Sequence, residues 1–352
     1  MKKVFKIIGR IILGVILAVV LFFGVLLIAQ YRPEDSETIA ENQEGTKTLV
    51  QGDTIKVMTW NAGYCSLGNY CDFFMDGGSM VTTSTKEQVL NNLSAIEEDI
   101  ANENPDVVFL QEVDRDSKRS YHINEVEEIS DNDSYVSTFA TNYKALYVPY
   151  PIPNIGKVHS GIVTLQKYDL TESTREQLYC PFNWFVRAFN LRRCLMVNRI
   201  PIEGTDKELV VVNLHLEAYD SGEGKIRQTN ELKEILLSEY EKGNYVIAGG
   251  DFNQVFSNVD TSAYPLISED MWTPASIDVT EFEGFSAVTD ASAPTCRSLD
   301  KALLGADEDN FQFYVIDGFL VSDNLEILEV TNLDLDFVNT DHNPIVMNVK
   351  LN

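Results

Sequence analysis

The chain has 352 residues, 44% of them hydrophobic, with 54 Asp and Glu against 27 Lys and Arg, for a formal net charge of -27. That length suits one large domain or two modest ones, and the apolar content is enough for a full core. The acid excess repels duplex nucleic acid at long range unless a basic face or bound cations intervene, and otherwise serves solubility. The five cysteines are too few for a disulfide scaffold, and none has zinc-site spacing. Outside the cell, Cys65 with Cys71, or Cys180 with Cys194, has the sequence proximity to oxidise as a pair, leaving Cys296 single.

Residues 1–10 carry Lys2, Lys3, Lys6 and Arg10, and residues 11–29 carry no charge. An apolar run of about 20 residues crosses a bilayer as a helix. The cationic flank predicts a cytoplasmic N-terminus and an extracytoplasmic remainder, hence a single-pass protein of the cell membrane. Leu27-Ile28-Ala29 is a poor cleavage site, so an uncleaved signal anchor is favoured over a signal peptide. Residues 30–54 are polar and acidic, with Pro33, and read as a solvated linker lifting the domain off the membrane. Residues 55–352 form the remaining domain.

Two helices are well signalled there. Thr85 and Gln88 make a capping box before Val89, Leu93, Ile96 and Ile100, and Pro105 ends that helix. Residues 226–242 place Leu232, Ile235, Leu236 and Tyr240 on one face, with Gly243 as the stop. Each helix feeds a strand, 106–113 and 245–249. Further strands are expected at 55–60, 160–166, 194–202, 208–216, 311–320, 327–333 and 344–351, several rich in β-branched residues. Many strands with two strong helices predict an α+β domain of two packed sheets flanked by helices. The irregular stretch 253–303 is expected to hold long loops on the active face.

The chemistry gathers at strand ends. Gly250-Asp251-Phe252-Asn253 follows the apolar run Tyr245-Val246-Ile247-Ala248. Trp60-Asn61, Gln111-Glu112, Asn213-Leu214-His215, Asp317 and Thr340-Asp341-His342 occupy similar positions. Plainer readings exist for each: turn residues at Asp251, Asn253 and Asp317, a buried strand histidine at His215, a loop cap at Asp341. Glu112 is the hardest to explain locally, because a carboxylate ending an apolar strand needs a partner or a metal. The set is rich in oxygen donors, which suits Mg²⁺, Mn²⁺ or Ca²⁺ better than zinc. With two imidazoles added, it offers what phosphodiester hydrolysis needs: an oriented water, offset phosphoryl charge and proton transfer near neutral pH. Arg115, Lys118, Arg119, Tyr121 and His122 follow Glu112 as either a phosphate-facing loop or a solvated one.

The ordered motifs Thr59-Trp60-Asn61, Leu110-Gln111-Glu112, Asn213-Leu214-His215, Gly250-Asp251-Phe252-Asn253, Ile316-Asp317 and Thr340-Asp341-His342-Asn343-Pro344 resemble the endonuclease/exonuclease/phosphatase superfamily, the deoxyribonuclease-I-like fold. The resemblance runs from about residue 55 to the C-terminus. It implies a four-layer α/β/β/α sandwich with two mixed β-sheets inside. It implies Glu112 as the principal metal ligand with Asn61 beside it, and Asp341 as a second ligand or polar support. By the same likeness Asp251 and Asn253 position nucleophile and phosphate, His215 and His342 flank the scissile phosphate, and Asp317 orients His342. His159, with Ser160 and Gly161, sits where the superfamily often places an active-face residue. Which histidine is acid and which is base stays open. The implied activity is a metal-dependent phosphodiesterase acting on a nucleic acid, a phospholipid headgroup or a small phosphoester. The membrane segment and acidic surface lean toward the latter two, while Arg187, Arg192 and Arg193 offer a local basic patch for a polyanion. A non-catalytic surface module on the same fold is the alternative.

Overall fold

The apolar N-terminal run forms one helix, α1 (Lys2–Ile28), in a computed structural model that describes every residue except Met1 and Ser221. Met1, the first residue of the expected basic flank, thus lies outside the described residues. An 18-residue window of the helix has mean hydropathy 3.4, and the helix is long and apolar enough to cross a membrane. Leu26 is its one buried residue among those described.

Residues 30–54 are not the free linker expected. Strand β1 (Ser36–Gln43) pairs antiparallel with β7 (Leu170–Gln177), and β2 (Leu49–Val50) pairs parallel with β8 (Cys194–Glu203). Leu49 is buried in the inner core. An outermost strand needs only one backbone partner and benefits from charged side chains that block further pairing. Its acidic composition therefore hides it among solvated segments.

Two mixed sheets carry the domain. In chain order the further strands are β3 (Thr54–Asn61), β4 (Val107–Asp114), β5 (Val136–Val148), β6 (Gly156–Gln166), β9 (Glu208–His215) and β10 (Tyr245–Asp251). Three more main strands follow at Asp317–Ser322, Leu325–Asn332 and Ile345–Leu351. The first sheet runs β1-β7-β8-β9-β10 and ends with Asp317–Ser322 and Phe285–Val288. The second runs Leu325–Asn332, Ile345–Leu351, β3, β4, β6 and β5. Ile55, Val57 and Phe109 of the second sheet interleave with Ile200, Val211, Ile247 and Phe319 of the first. Helix α4 (Glu223–Glu241) covers the outer face of the first sheet through Leu232 and Leu236. Helices α2 (Lys86–Glu103) and α3 (Glu125–Ser130) cover the second through Ile96, Ile100 and Val126. The layers are therefore α/β/β/α, as the resemblance implied.

Helix α2 starts where the sequence says it should. Gln88 N donates to Thr85 Oγ1 at 3.3 Å, and Thr85 N donates to Gln88 Oε1 at 2.8 Å. The strand expected at 311–320 is instead split into Phe313–Tyr314 and Asp317–Ser322, because Ile316 O turns to accept from Phe252 N. Strands β5 and β7 had no clear signal, being rich in Ser, Thr, Asn and Glu. All five cysteines are free thiols, and neither of the two pairings open to the sequence is formed.

A buried amide ties the sheets together. Gln111 Nε2 donates to Asn213 Oδ1 at 2.9 Å, and Asn213 Nδ2 donates to Val163 O at 2.8 Å. Asn213, prominent as a motif residue, is thus a structural link between β9 and the facing strands. We predict that Asn213→Ala lowers the unfolding free energy by about 2–3 kcal/mol, since the buried Gln111 amide and Val163 carbonyl lose their partner; urea unfolding checks this.

Candidate active site

Strand register assembles the site. Parallel pairing sets His215 opposite Asp251, and antiparallel pairing sets Asp251 opposite Asp317, so three ionisable side chains stand in a row across the first sheet. Gly250 permits this row, because a Cβ there would lie 2.0 Å from Leu214 O. The second sheet delivers Asn61 at the end of β3 and Glu112 near the end of β4. A loop before Ile345–Leu351 delivers Asp341 and His342, anchored by Trp60 Nε1 donating to His342 O at 2.9 Å. All these residues are close to or within one cleft of about 470 Å³, lined by Glu112, Asp251, Asn253, His215, Asp341 and His342.

Glu112 reaches the cleft through a distortion. The pairing of β4 with β6 shifts register between Leu110 and Val113, and Glu112 adopts a left-handed φ of 53°. Such a bulge breaks strand alternation and re-aims a side chain. The Glu112 side chain keeps 28% exposure where its neighbours are closed off. Asn253 also has a left-handed φ, 51°. Its Nδ2 donates to Leu216 O at 2.9 Å and its backbone N donates to Asp251 Oδ1 at 2.8 Å.

Asp251 is the hub. Asn61 Nδ2 donates to its Oδ2 at 3.0 Å, crossing from one sheet to the other. His215 Nε2 stands 3.3 Å from the same oxygen, and His342 Nε2 stands 3.8 Å from it. His342 Nδ1 is bonded to Asp317 Oδ2 at 2.9 Å. The two histidines are driven apart electrostatically. Burial, then the charges of Arg193 and His342, holds His215 well below the usual imidazole range. Burial opposes charge on His342 too, but Asp317 beside it, with smaller help from Cys296 and Asp341, holds its pKa well above that range. His342 is therefore the cationic imidazole and His215 the neutral one. Asp251 is pushed up to about 7, first by burial and next by Asp317.

Burial raises the pKa of both Glu112 and Asp341, and Asp341 raises Glu112 further while Arg119 opposes. A second grouping, Asp251, Asp317 and His342, has its ligand atoms within 4.8 Å of one another. Within that grouping His342 Nδ1 and Asp317 Oδ2 are bonded to each other. One expectation needs correction. Asn61 presents its amide nitrogen to the carboxylates, because its Oδ1 accepts from Gly63 N at 3.0 Å. It is a donor to Asp251 here, not an oxygen ligand.

The flanking expectations divide. Arg119 lines the cleft, but its Nε and Nη2 are tied to Asp114 at 3.1 and 3.0 Å, and its guanidinium lies 3.6 Å from the Tyr64 ring centre. It is a fixed charge near Glu112. Tyr121, His122 and His159 do not line the cleft. Tyr121 donates to Ser84 O, His122 pairs with Asp116, and His159 contacts Thr141 Oγ1. Its neighbours Ser160 and Gly161 do line the cleft, and strand alternation turns His159 to the other face. Sequence reasoning missed Tyr64, Arg297 and the pair Tyr219–Asp76, in which Tyr219 Oη donates to Asp76 at 2.9 Å over the cleft. These come from loops with no periodic signal.

The Asp317–His342 pair yields a test. Its charged form adds stability that is complete below the ordinary histidine pKa and is lost as pH rises through the elevated folded value. Asp317→Asn removes that anion and leaves burial dominant, so the His342 ring titrates below its ordinary pKa in the variant, as NMR of the ring protons will register.

The sequence matches the Endonuclease/Exonuclease/phosphatase family over residues 58–323. No match was found among curated proteins. Several solved structures share the fold. An endonuclease/exonuclease/phosphatase from Beutenbergia cavernae aligns at TM-score 0.55 and 18% identity, covering 85% of this chain and 72% of that one. A functionally unknown conserved protein from Enterococcus faecalis aligns at TM-score 0.54 and 12% identity, covering 85% and 100%. D. rerio TDP2, complexed with a single strand DNA product, aligns at TM-score 0.50 and 15% identity, covering 85% and 99%. A sequence match across most of the domain, the same layered fold and the strand-end cluster agree, and the chain belongs to the Endonuclease/Exonuclease/phosphatase family.

Proposed function

We propose that this chain is a membrane-anchored, extracytoplasmic phosphodiesterase that needs a divalent metal and cleaves a phosphoester bond by water attack. The observation that carries the reading is the buried convergence of Asp251, His215, His342 and Asp317 beside the partly exposed Glu112. The DNA product held by the TDP2 relative supports a phosphoester substrate in general. The basic residues in the first turns of α1 and the apolar length that follows them support the anchored topology.

Glu112 and Asp341 fit a hard cation such as Mg²⁺, with Mn²⁺ or Ca²⁺ also compatible, since both are carboxylates whose burial disfavours their charge, and the imidazole 4.0 Å from Glu112, that of His215, is held neutral. When bound, the cation offsets charge on the phosphoryl oxygens and on the leaving oxygen. The chain's own groups do the rest. Asp251, with a pKa near the working pH, accepts the proton of the attacking water while Asn61 and Asn253 hold the carboxylate in place. The neutral His215 beside Asp251 is poised to share that proton. The imidazolium of His342, fixed through Nδ1 by Asp317, directs Nε2 at the phosphoryl group and gives its proton to the departing oxygen. A bond forms from water oxygen to phosphorus and the ester bond breaks.

A non-catalytic binding module on this fold has no need for a neutral and a cationic imidazole around one carboxylate. The two readings separate in an assay of DNA, RNA, sphingomyelin, phosphoinositides and cyclic dinucleotides with Mg²⁺ or chelator. We predict that chelation abolishes turnover of the best substrate. His342→Gln or Asp251→Asn should lower kcat by about a hundredfold to ten-thousandfold. Full rates in both variants would overturn this mechanism, and no turnover of any substrate with metal present would leave only the binding module.

A further inference from the structure

The acid of this chain is unevenly spread. Residues 136–166 and 178–193 contain no Asp or Glu, yet carry Lys144, Lys157, Arg187, Arg192 and Arg193. In a chain with 54 acidic residues, two such stretches meeting on one side make a distinct face. They do meet, and α1 meets them. Phe22 stacks edge-on against Tyr147 at 5.9 Å, and Phe23 lies 5.9 Å from Phe185 and 6.4 Å from Phe189.

The same face exposes large apolar side chains. Ile152 is 95% exposed, Tyr150 72% and Trp184 69%, with Leu146, Phe185 and Val186 beside them. Phe22 and Phe23 belong to the last turns of α1, which the proposed topology places at the outer leaflet. Loops that touch those turns stand at the level of the lipid headgroups. Exposed aromatic and aliphatic tips next to Lys and Arg are the composition that enters that interface. The cleft shares this face: Tyr150, Phe189 and Leu191 line its wall, and Phe189 also touches α1.

We infer that residues 146–154 and 181–190 dock into the outer leaflet of the bilayer that α1 crosses, so that the cleft opens onto the lipid surface and takes the headgroup of a phosphoester lipid. The substrate part rests on the hydrolase reading above; the docking part does not. These two acid-free segments, with Glu34 and Glu37 at one edge beside Phe139 and Thr141, let a strongly anionic domain turn its least acidic side to an anionic membrane, and the pairing of β1 with β7 explains why it is not held away on a linker.

The test uses the full chain in vesicles of phosphatidylcholine and phosphatidylglycerol. Of the three tryptophans, Trp60 is buried, Trp272 is half-buried and Trp184 is exposed. Lipid brominated on its acyl chains should quench the fluorescence, and Trp184→Phe should remove most of that quenching. A Trp184 reached by aqueous acrylamide but not by brominated lipid overturns the docking, and so does a Trp184 shielded from both, which means that a second copy or another protein covers it. In the second arm, Ile152→Asp with Trp184→Asp should slow hydrolysis of lipid in the same vesicles about tenfold and leave a soluble chromogenic phosphodiester untouched. Equal rates on lipid overturn the substrate assignment. If the unmodified chain hydrolyses neither compound with metal present, the hydrolase reading falls, and the quenching result still decides the docking.

Discussion

One carboxylate oxygen holds this site together. Asp251 Oδ2 accepts a hydrogen bond from Asn61 across the sheet interface and faces both imidazoles. A buried carboxylate left alone is costly, so the residues around it must supply donors or positive charge. They do so asymmetrically. Against the cost of burial Asp317 charges His342, while burial, with smaller help from Arg193 and His342, keeps His215 neutral. Two chemically identical side chains thus acquire opposite protonation states from their surroundings, the usual means by which one site separates acid from base.

The backbone bears a cost for this arrangement. Glu112 and Asn253 both sit in left-handed conformations that L-residues avoid by about 1–2 kcal/mol. Glu112 lies near the end of β4 and Asn253 two residues past β10, and both strands are buried almost throughout, so packing over-determines the two positions. Strain placed there puts Glu112 where regular alternation would not. The amide network of Gln111 and Asn213 one residue inward keeps the two sheets in register while this happens.

The position of the domain relative to α1 links the fold to its setting. The first strand of the domain begins eight residues after α1 ends, and it joins the sheet at once. There is little free chain to separate the domain from α1. The distribution of charge is uneven: residues 136–166 and 178–193, which touch α1, contain no acid, while residues 34–44 just after the helix and the rest of the domain hold it.

Much of the architecture was legible in the residues. Capping at Thr85 and Gln88, the apolar period of α4 and the β-branched strands are local signals, and each marks an element that formed. Strand β1 and the polar strands β5 and β7 were not legible, since their stability comes from neighbours rather than from their own composition. For the site, the sequence determined which donors stand at strand ends, because motif order and spacing are local. The tertiary structure decided which of them meet. It turned His159 away from the cleft by strand alternation, pulled Asn61 Oδ1 to Gly63, set Arg119 on Asp114 and gave the two histidines different charge. Register, burial and field are sums over residues far apart in the chain, and no local pattern contains them.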